Sequence, residues 1–253
     1  ALAGQPGFLE FYLRDQSRLP GARANLELAQ DFSQILALKA PSSPHETRAL
    51  LSHLVSDEKC VVTNTPGEFV LMCGVLASGY CAAALSMWRL DIFPLLTDYA
   101  CSLSWRVREA TALALQKLLV AAPSEILPAL VELLTRGDSL QQRACLAAIS
   151  EPSLLASTDF VMSALAMQRS AIERLHALPT IQRRHPDVRV LRQTLGYTLS
   201  VVTAACPDSG FALMCEIALW NDPDINWILR ENLKKRRLAK FSDYTARVID
   251  LLA

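Results

Sequence analysis

The sequence is poor in the residues that are typical of β-sheets. Its 253 residues include only nine glycines and 7% aromatic residues, and runs of β-branched residues are few. Half of the chain is hydrophobic, and Leu and Ala, which have high helix propensity, are abundant. This composition predicts an all-α protein. At this length the chain can form a large buried core or one elongated array of helical repeats.

Cysteine and histidine show no arrangement typical of a metal or redox site. No Cys-x-x-Cys pair occurs, and the four histidines have no second ligand at metal spacing. The seven cysteines stand mostly among apolar residues, where a thiol behaves as a small hydrophobic side chain. They are Cys60, Cys73, Cys81, Cys101, Cys145, Cys206 and Cys215. We therefore expect reduced core cysteines, no metal ion and no cofactor.

Common enzyme motifs are missing as well. The sequence contains no Gly-x-Ser-x-Gly, no glycine-rich phosphate loop and no His-Glu-x-x-His. We therefore predict no catalytic residues and favour a non-enzymatic role, although an enzyme is not excluded. Residues 1–7 lack the basic and apolar regions of a secretory signal, which together with reduced cysteines predicts a cytoplasmic location.

The longest stretch without a charge runs from Phe69 to Met87 and has the length of a membrane span. Its middle consists of Ala, Ser, Gly and Cys rather than Leu and Ile, and no Lys or Arg cluster flanks it. The remaining chain is amphipathic. We therefore predict a helix that is buried between neighbouring helices, and no membrane partner.

Charges balance over the whole chain but not along it. Lys plus Arg equals Asp plus Glu, which argues against a chain-wide nucleic-acid surface. Basic residues accumulate near the C-terminus, where Glu231 is the only acid among Arg230, Lys234, Lys235, Arg236, Arg237 and Lys240. This basic cluster is either a polar cap or a surface for phosphates or an acidic partner. It is extended if the fold presents further arginines on the same side: Arg183, Arg184, Arg189 and Arg192.

A helical pattern repeats in the middle of the chain. Between Ile92 and Ala122, a first helix with Pro94 in its first turn precedes a polar turn and a second helix. In that second helix, apolar or small residues recur along one face from Val107 to Leu118. The segment 92–96 is echoed by 126–130 after 34 residues, and Arg108 by Arg143 after 35. Periods of this size are typical of helical solenoids.

These segments resemble HEAT repeats, in which a Pro-bearing first helix and a polar turn precede a second helix that opens with an apolar-Arg pair. The resemblance is clearest over residues 92–150 and 186–240, and residues 230–253 are predicted to form a C-terminal cap. It implies a right-handed α-solenoid of five or six helical hairpins, a single domain over residues 1–253, whose second helices line a concave surface. It leaves the function open, because such folds carry many unrelated functions.

One hypothesis is a non-catalytic scaffold that binds a protein partner or an acidic peptide on the concave surface. Arg108, Arg143 and Arg230 stand at corresponding positions of the pattern and would form an anion-binding ladder. The basic residues Lys234, Lys235, Arg236 and Arg237 would extend it. The alternative interpretation is that each arginine pairs with a carboxylate of its own or a neighbouring repeat, such as Asp98, Asp138 or Asp224.

The other hypothesis is nucleic-acid binding or DNA repair. Trp105 and Glu109 are four residues apart and share a helix face, as do Trp227 and Glu231. They resemble the aromatic residues and acid with which HEAT-like DNA alkylation-repair glycosylases hold a damaged nucleotide, although the acid here is Glu rather than Asp. The simpler interpretation is that both Trp residues only pack in the repeats.

Overall fold

The computed structural model describes residues 5–55 and 62–252, and these residues form α-helices and short 3-10 turns without a strand. The all-α prediction is therefore confirmed. Cys60 and residues 1–4 lie outside the described residues. The chain divides into two compact units, Ala1–Ile126 and Leu127–Ala253. The prediction of one continuous domain stays a prediction.

The described residues of the first unit form six helices and the start of a seventh. They are α1 (Pro6–Asp15), α2 (Leu26–Lys39), α3 (Pro44–Leu54), α4 (Pro66–Ala84), α5 (Arg89–Tyr99), α6 (Trp105–Ala121) and α7 (Pro123–Arg136), which continues into the second unit. α1, α3 and α4 each have proline at the first helical position, where its missing N–H leaves no helix hydrogen bond unmade. The break at residues 41–44 predicts a helix that starts at Ser43 or Pro44, and α3 starts at Pro44. α2 begins at Leu26 rather than Ala22, because Asn25 caps it by accepting a hydrogen bond from the Leu28 N–H at 3.3 Å.

Helix α4 forms the core of the first unit. α2 and α6 pack along it, and α1, α3 and α5 also contact it. Of the described helices, α4 alone is long and apolar enough to cross a membrane, but 78% of its most apolar window is buried within the protein. The prediction that this charge-free stretch is a helix buried by its neighbours is confirmed. It ends at Ala84, and a 3-10 turn at Ser86–Trp88 follows it.

The close approach of α4 to α6 depends on Gly79. A Cβ atom at this position would lie 2.5 Å from the Cβ and 2.7 Å from the Cα of Ala114. We expect Gly79→Ala to lower the free energy of unfolding by about 1 kcal/mol, since overpacking costs roughly 1–3 kcal/mol and alanine's higher helix propensity offsets roughly 1. Urea unfolding followed by circular dichroism measures the change. Gly7→Ala is the control, because a Cβ there meets nothing within 4 Å; equal stability of the two variants would contradict the prediction.

The second unit contains the end of α7 and seven further helices. They are α8 (Ser139–Ile149), α9 (Thr158–Ala177), α10 (Thr180–Arg183), α11 (Pro186–Ala205), α12 (Pro207–Ala218), α13 (Pro223–Leu233) and α14 (Ser242–Leu251). The start of α11 at Pro186 is confirmed. The sequence predicts one helix that is capped by Thr158 or Asp159 and ends at Arg169, and a further helix that runs to Leu178. This break is wrong: α9 is continuous, and its buried residues extend along one face from Leu165 to Leu175.

Helix α11 is the core of the second unit and packs against α8, α9, α12 and α13. α13 lies beside α11 and runs in the same direction. Near its start Asp224 pairs with Arg192 of α11, and near its end Asn232 accepts a hydrogen bond from the Ser200 N–H at 2.7 Å. The two helices are therefore in register over their length, which fixes the side chains that α11 and α13 present together.

Candidate anion-binding site in the second unit

The three arginines of the predicted ladder do not share one helix position. Counted from the N-cap of each helix, Arg108 is the fourth residue of α6, Arg143 the fifth of α8 and Arg230 the eighth of α13. Arg108 donates to the carbonyl oxygen of Ser102 at 2.7 Å, Arg143 is buried, and Arg230 donates to the carbonyl oxygen of Leu252 at 2.7 Å. The predicted equivalence is therefore wrong for Arg230, which lies about one turn further along its helix.

The two Trp-Glu pairs differ from each other. Trp105 is 55% exposed and lines a cleft of about 210 Å³ together with Glu109, so the structure brings this pair together. The guanidinium of Arg106 lies 4.7 Å from the centre of the Trp105 ring. Trp105 begins α6, whereas Trp227 is the fifth residue of α13. The Trp at these two places is therefore not in equivalent helix positions.

Trp227 is half-buried, and the guanidinium of Arg192 lies 4.6 Å from the centre of its ring. Its partner Glu231 forms an ion pair with Lys234 at 2.5 Å, and this hydrogen bond lowers the pKa of the Glu231 carboxyl. The Trp227 ring is therefore partly covered by Arg192, and the Glu231 carboxylate is already bound to Lys234. This arrangement differs from the open aromatic and acid that a flipped nucleotide requires.

The C-terminal basic cluster lies at the far end of α13. Arg236 and Arg237 are exposed in a 3-10 turn that is anchored by the buried Leu238, while Lys235 is half-buried. The ten residues from Asp224 to Lys234 correspond to about 15 Å of helix. The cluster is therefore separated from the start of α13, where Asp224 meets Arg183 of α10 and Arg192 of α11.

Those arginines line a cleft at the starts of α11 and α13. The cleft has a volume of about 430 Å³, and its wall carries four guanidinium groups and one carboxylate. The arginines are Arg183, Arg184, Arg189 and Arg192, and the acid is Asp224. From the sequence, these four arginines were expected only as an extension of the basic cluster. We call this feature the arginine cleft.

Two of the four arginines are held by the fold. Arg183 pairs with Asp222 at 2.6 Å and donates to the carbonyl oxygens of His176 at 2.5 Å and Leu178 at 2.9 Å. It also approaches Asp224 at 3.4 Å. Arg192 forms an ion pair with Asp224 as well. By contrast, Arg184 and Arg189 are exposed and form no ion pair with any residue that the structure describes.

Asp222 supports this arrangement from the start of α13. Its carboxylate caps the helix by accepting hydrogen bonds from the N–H groups of Asp224 at 2.9 Å and Ile225 at 3.2 Å. Burial alone raises the pKa of Asp222, but the hydrogen bonds from Arg183 and Ile225 outweigh it, so this pKa lies below the usual value. Asp222 therefore remains ionised at neutral pH and holds Arg183 in place.

An apolar groove adjoins the arginine cleft. It has a volume of about 860 Å³ and lies between the start of α8, the end of α9 and the start of α11. Its apolar lining includes Leu178, Val188, Leu191 and Ile181, and Ile181 is 72% exposed. Arg184 lines both the groove and the cleft. We call this feature the α8–α11 groove.

The groove and Asp222 were not predicted from the sequence, and Asp224 was expected only as a partner of the three ladder arginines. The sequence Asp222-Pro223 combines an N-cap residue with proline at the first helical position, so it marks the start of α13 and could have placed the aspartates beside α11. Ile181 carried no such signal, because an apolar residue in a short helix is equally compatible with burial. Its exposure follows from the packing of α10 on α11.

The described residues contain no group of three or more His, Cys, Asp and Glu side chains that could hold a metal ion. No protein-family model matches the chain. A search of curated proteins finds no significantly similar sequence. A functional assignment therefore rests on the geometry of the arginine cleft and the α8–α11 groove.

Proposed function

We propose that this chain is a HEAT-like right-handed α-solenoid, a non-catalytic scaffold that binds an acidic peptide segment of a protein partner. The helix packing supports the repeat architecture. If each repeat is a hairpin of two helices, the second helices of successive hairpins pack against one another in chain order: α2, α4 and α6 in the first unit, and α8, α11 and α13 in the second. Contacts between these helices join residues about one repeat apart. Arg106 and Glu68 are 38 residues apart, for example, and Asn232 and Ser200 are 32 apart. Nearest-neighbour contact of this kind is expected of a solenoid.

The observation that supports a binding function most directly is the position of Arg184 between two different surfaces. On one side the α8–α11 groove offers aliphatic side chains, and on the other the arginine cleft offers open guanidinium groups. A peptide with an aliphatic residue a short distance from an acidic one matches both surfaces at once. The aliphatic side chain would fill the groove beside Ile181, and the acid would pair with Arg184 and Arg189.

Charge and shape favour a peptide over nucleic acid. The lining of the α8–α11 groove carries Arg174, Arg184 and one acid, Asp138, whose carboxylate already caps α8 through the N–H groups of Leu140 and Gln141. An anionic ligand therefore meets two guanidinium groups and a single carboxylate there. A nucleic-acid backbone supplies phosphates but no aliphatic side chain for the groove. The basic cluster stands apart from this site, about 15 Å along α13.

Selection from a random peptide library on the immobilised protein tests the proposal, with selected peptides then measured by fluorescence anisotropy. We expect enriched peptides to carry an aliphatic residue within a few positions of Asp or Glu. Ile181→Ser should weaken their binding about tenfold, because burying an isoleucine side chain contributes roughly 1.5–3 kcal/mol. Arg184→Gln should weaken binding by a similar factor through loss of a charge-assisted hydrogen bond.

Matched controls come from α14, whose Ile249 is 54% exposed and whose Arg247 is exposed. Ile249→Ser and Arg247→Gln should leave peptide binding unchanged. Enrichment of neutral or basic peptides, or equal losses in control and site variants, would contradict the proposal.

Binding of labelled duplex DNA across a salt series tests the nucleic-acid alternative, to which the exposure of Trp105 lends some support. The comparison uses a variant with Lys234, Lys235, Arg236 and Arg237 all changed to Ala. Tight binding that falls steeply with salt and is lost in this variant would favour nucleic-acid binding over the peptide scaffold.

A further inference from the structure

We propose that the arginine cleft recognises a phosphorylated side chain, a phosphate monoester with two negative charges, in preference to a carboxylate. This inference rests on the proposed peptide-binding function and specifies the acidic group that the cleft takes. The inference depends on one observation: two of the four arginines are neutralised by acids of the fold, and the other two are not.

The net charge of the cleft is set by those ion pairs. Arg183 is neutralised by Asp222, and Arg192 by Asp224. Arg184 and Arg189 then contribute two positive charges with no acid opposite them among the described residues. Asp187, in the first turn of α11, lies 3.5 Å from His185 and does not line the cleft. An Asp or Glu side chain would neutralise one of the two open charges, whereas a phosphate monoester carries about −1.5 to −2 at neutral pH and would neutralise both.

The cleft also provides donors in the number that a phosphoryl group accepts. A monoester has three terminal oxygens that are strong acceptors, and each guanidinium offers a planar pair of N–H groups. The hydroxyl of Thr180 and the amide of Gln193 are neutral donors in the same lining.

The fold holds this arrangement before a ligand arrives. Arg183 has four acceptors, among them the main chain at the end of α9, and Arg192 is fixed between Asp224 and the Trp227 ring. These two side chains therefore form a rigid floor, and only Arg184 and Arg189 need to close on the ligand. Fewer groups lose conformational freedom, which favours binding.

Nuclear magnetic resonance of the full chain tests the inference with small probes. The probes are N-acetyl-phosphoserine methylamide, its phosphate monomethyl ester, N-acetyl-glutamate methylamide and inorganic phosphate. The monomethyl ester has the same atoms around phosphorus but one charge, as in a nucleic-acid backbone. Shifts of the arginine Nε–Hε resonances report binding at the cleft. We expect the phosphoserine derivative to bind about tenfold more tightly than its ester or the glutamate derivative.

The double variant Arg184→Gln/Arg189→Gln should lose this binding at least tenfold while its backbone amide spectrum stays that of a folded protein. Lys234→Gln/Arg237→Gln removes the same charge from the basic cluster and should change nothing. Equal affinity for phosphoserine and its ester would overturn the inference in favour of any phosphate anion, including a nucleic-acid backbone. Equal affinity for inorganic phosphate would overturn it in favour of a free small anion.

Failure of this inference is distinct from failure of the proposed function. If selected acidic peptides bind and depend on Ile181 and Arg184 but phosphoserine shows no preference over glutamate, the scaffold proposal stands and the phosphate inference fails. If peptides are indifferent to Ile181→Ser, the proposed function fails, whatever the probes show at the cleft.

Discussion

Replacing Glu68 by alanine is expected to lower the free energy of unfolding by about 3–5 kcal/mol, as breaking a buried ion pair from one side does in other proteins. Glu68 is fully buried near the start of α4. Its carboxylate accepts hydrogen bonds from Arg106 at 3.0 Å, from the Ser104 hydroxyl at 2.5 Å and from the Asn64 N–H at 2.9 Å. Alanine would leave the guanidinium of Arg106 buried without a counter-charge. Urea unfolding followed by circular dichroism measures the loss.

Two further variants show whether burial is the cause. Glu68→Leu combined with Arg106→Met removes both charges, and we expect it to recover at least half of the loss, because an apolar pair needs no compensation. Glu132→Ala breaks an exposed ion pair with Arg136 of the same helix, at 2.8 Å, and should cost less than about 0.5 kcal/mol. A loss for Glu68→Ala as small as that for Glu132→Ala would show that the Glu68 carboxylate is not in a water-free site.

Asn232→Ala is expected to lower the free energy of unfolding by about 2–3 kcal/mol, because it removes three buried hydrogen bonds, each worth about 1 kcal/mol. Asn232 is fully buried on α13. Its side chain accepts a hydrogen bond from the Ser200 N–H at 2.7 Å and donates to the carbonyl oxygens of Leu195 and Ile228 at 2.7 and 2.8 Å. Two of these three bonds join α13 to α11. Urea unfolding gives the change in stability, and amide hydrogen exchange at Ser200 should accelerate.

Asn226→Ala is the matched control on the same helix. The side-chain oxygen of Asn226 is buried and has no hydrogen-bond partner among the described residues. Removing an amide that satisfies no partner is expected to be nearly neutral. If the two asparagine variants were equally stable, the bonds between α11 and α13 would contribute nothing measurable to the stability of the second unit.

Much of the fold could be predicted because its signals are local. Pro44 and Pro186 mark helix starts by removing a donor that the first turn does not need, and this holds whatever the helix packs against. The charge-free run of α4 predicts burial on all sides in the same way. The continuity of α9 across Arg169 was not predicted, because its periodic face becomes evident only when α11 lies against it.

The candidate site could be predicted only in part. Its arginines stand out in the sequence, but the acids that neutralise two of them do not. Asp222 lies 39 residues from Arg183, and Asp224 lies 32 residues from Arg192. Which arginines remain open depends on how α13 packs beside α11, and no local pattern encodes that. The pattern Trp-x-x-Arg-Glu occurs at residues 105–109 and again at 227–231, which predicts that Trp105 and Trp227 are equivalent. The Asp222-Pro223 start instead places Trp227 one turn deeper in its helix.

The burial of α4 has a consequence for how the chain must be made. α6, one of the two helices that cover it most, ends at Ala121, whereas α4 ends at Ala84. At roughly 5–20 residues per second, synthesis of the intervening segment takes on the order of seconds. For that time the nascent chain presents an apolar helix of membrane-spanning length, whose only charged residue is Glu68, with part of its surface uncovered. Binding of chaperones or of the membrane-targeting machinery to ribosome-bound chains should therefore peak after α4 has emerged and fall once α6 has followed.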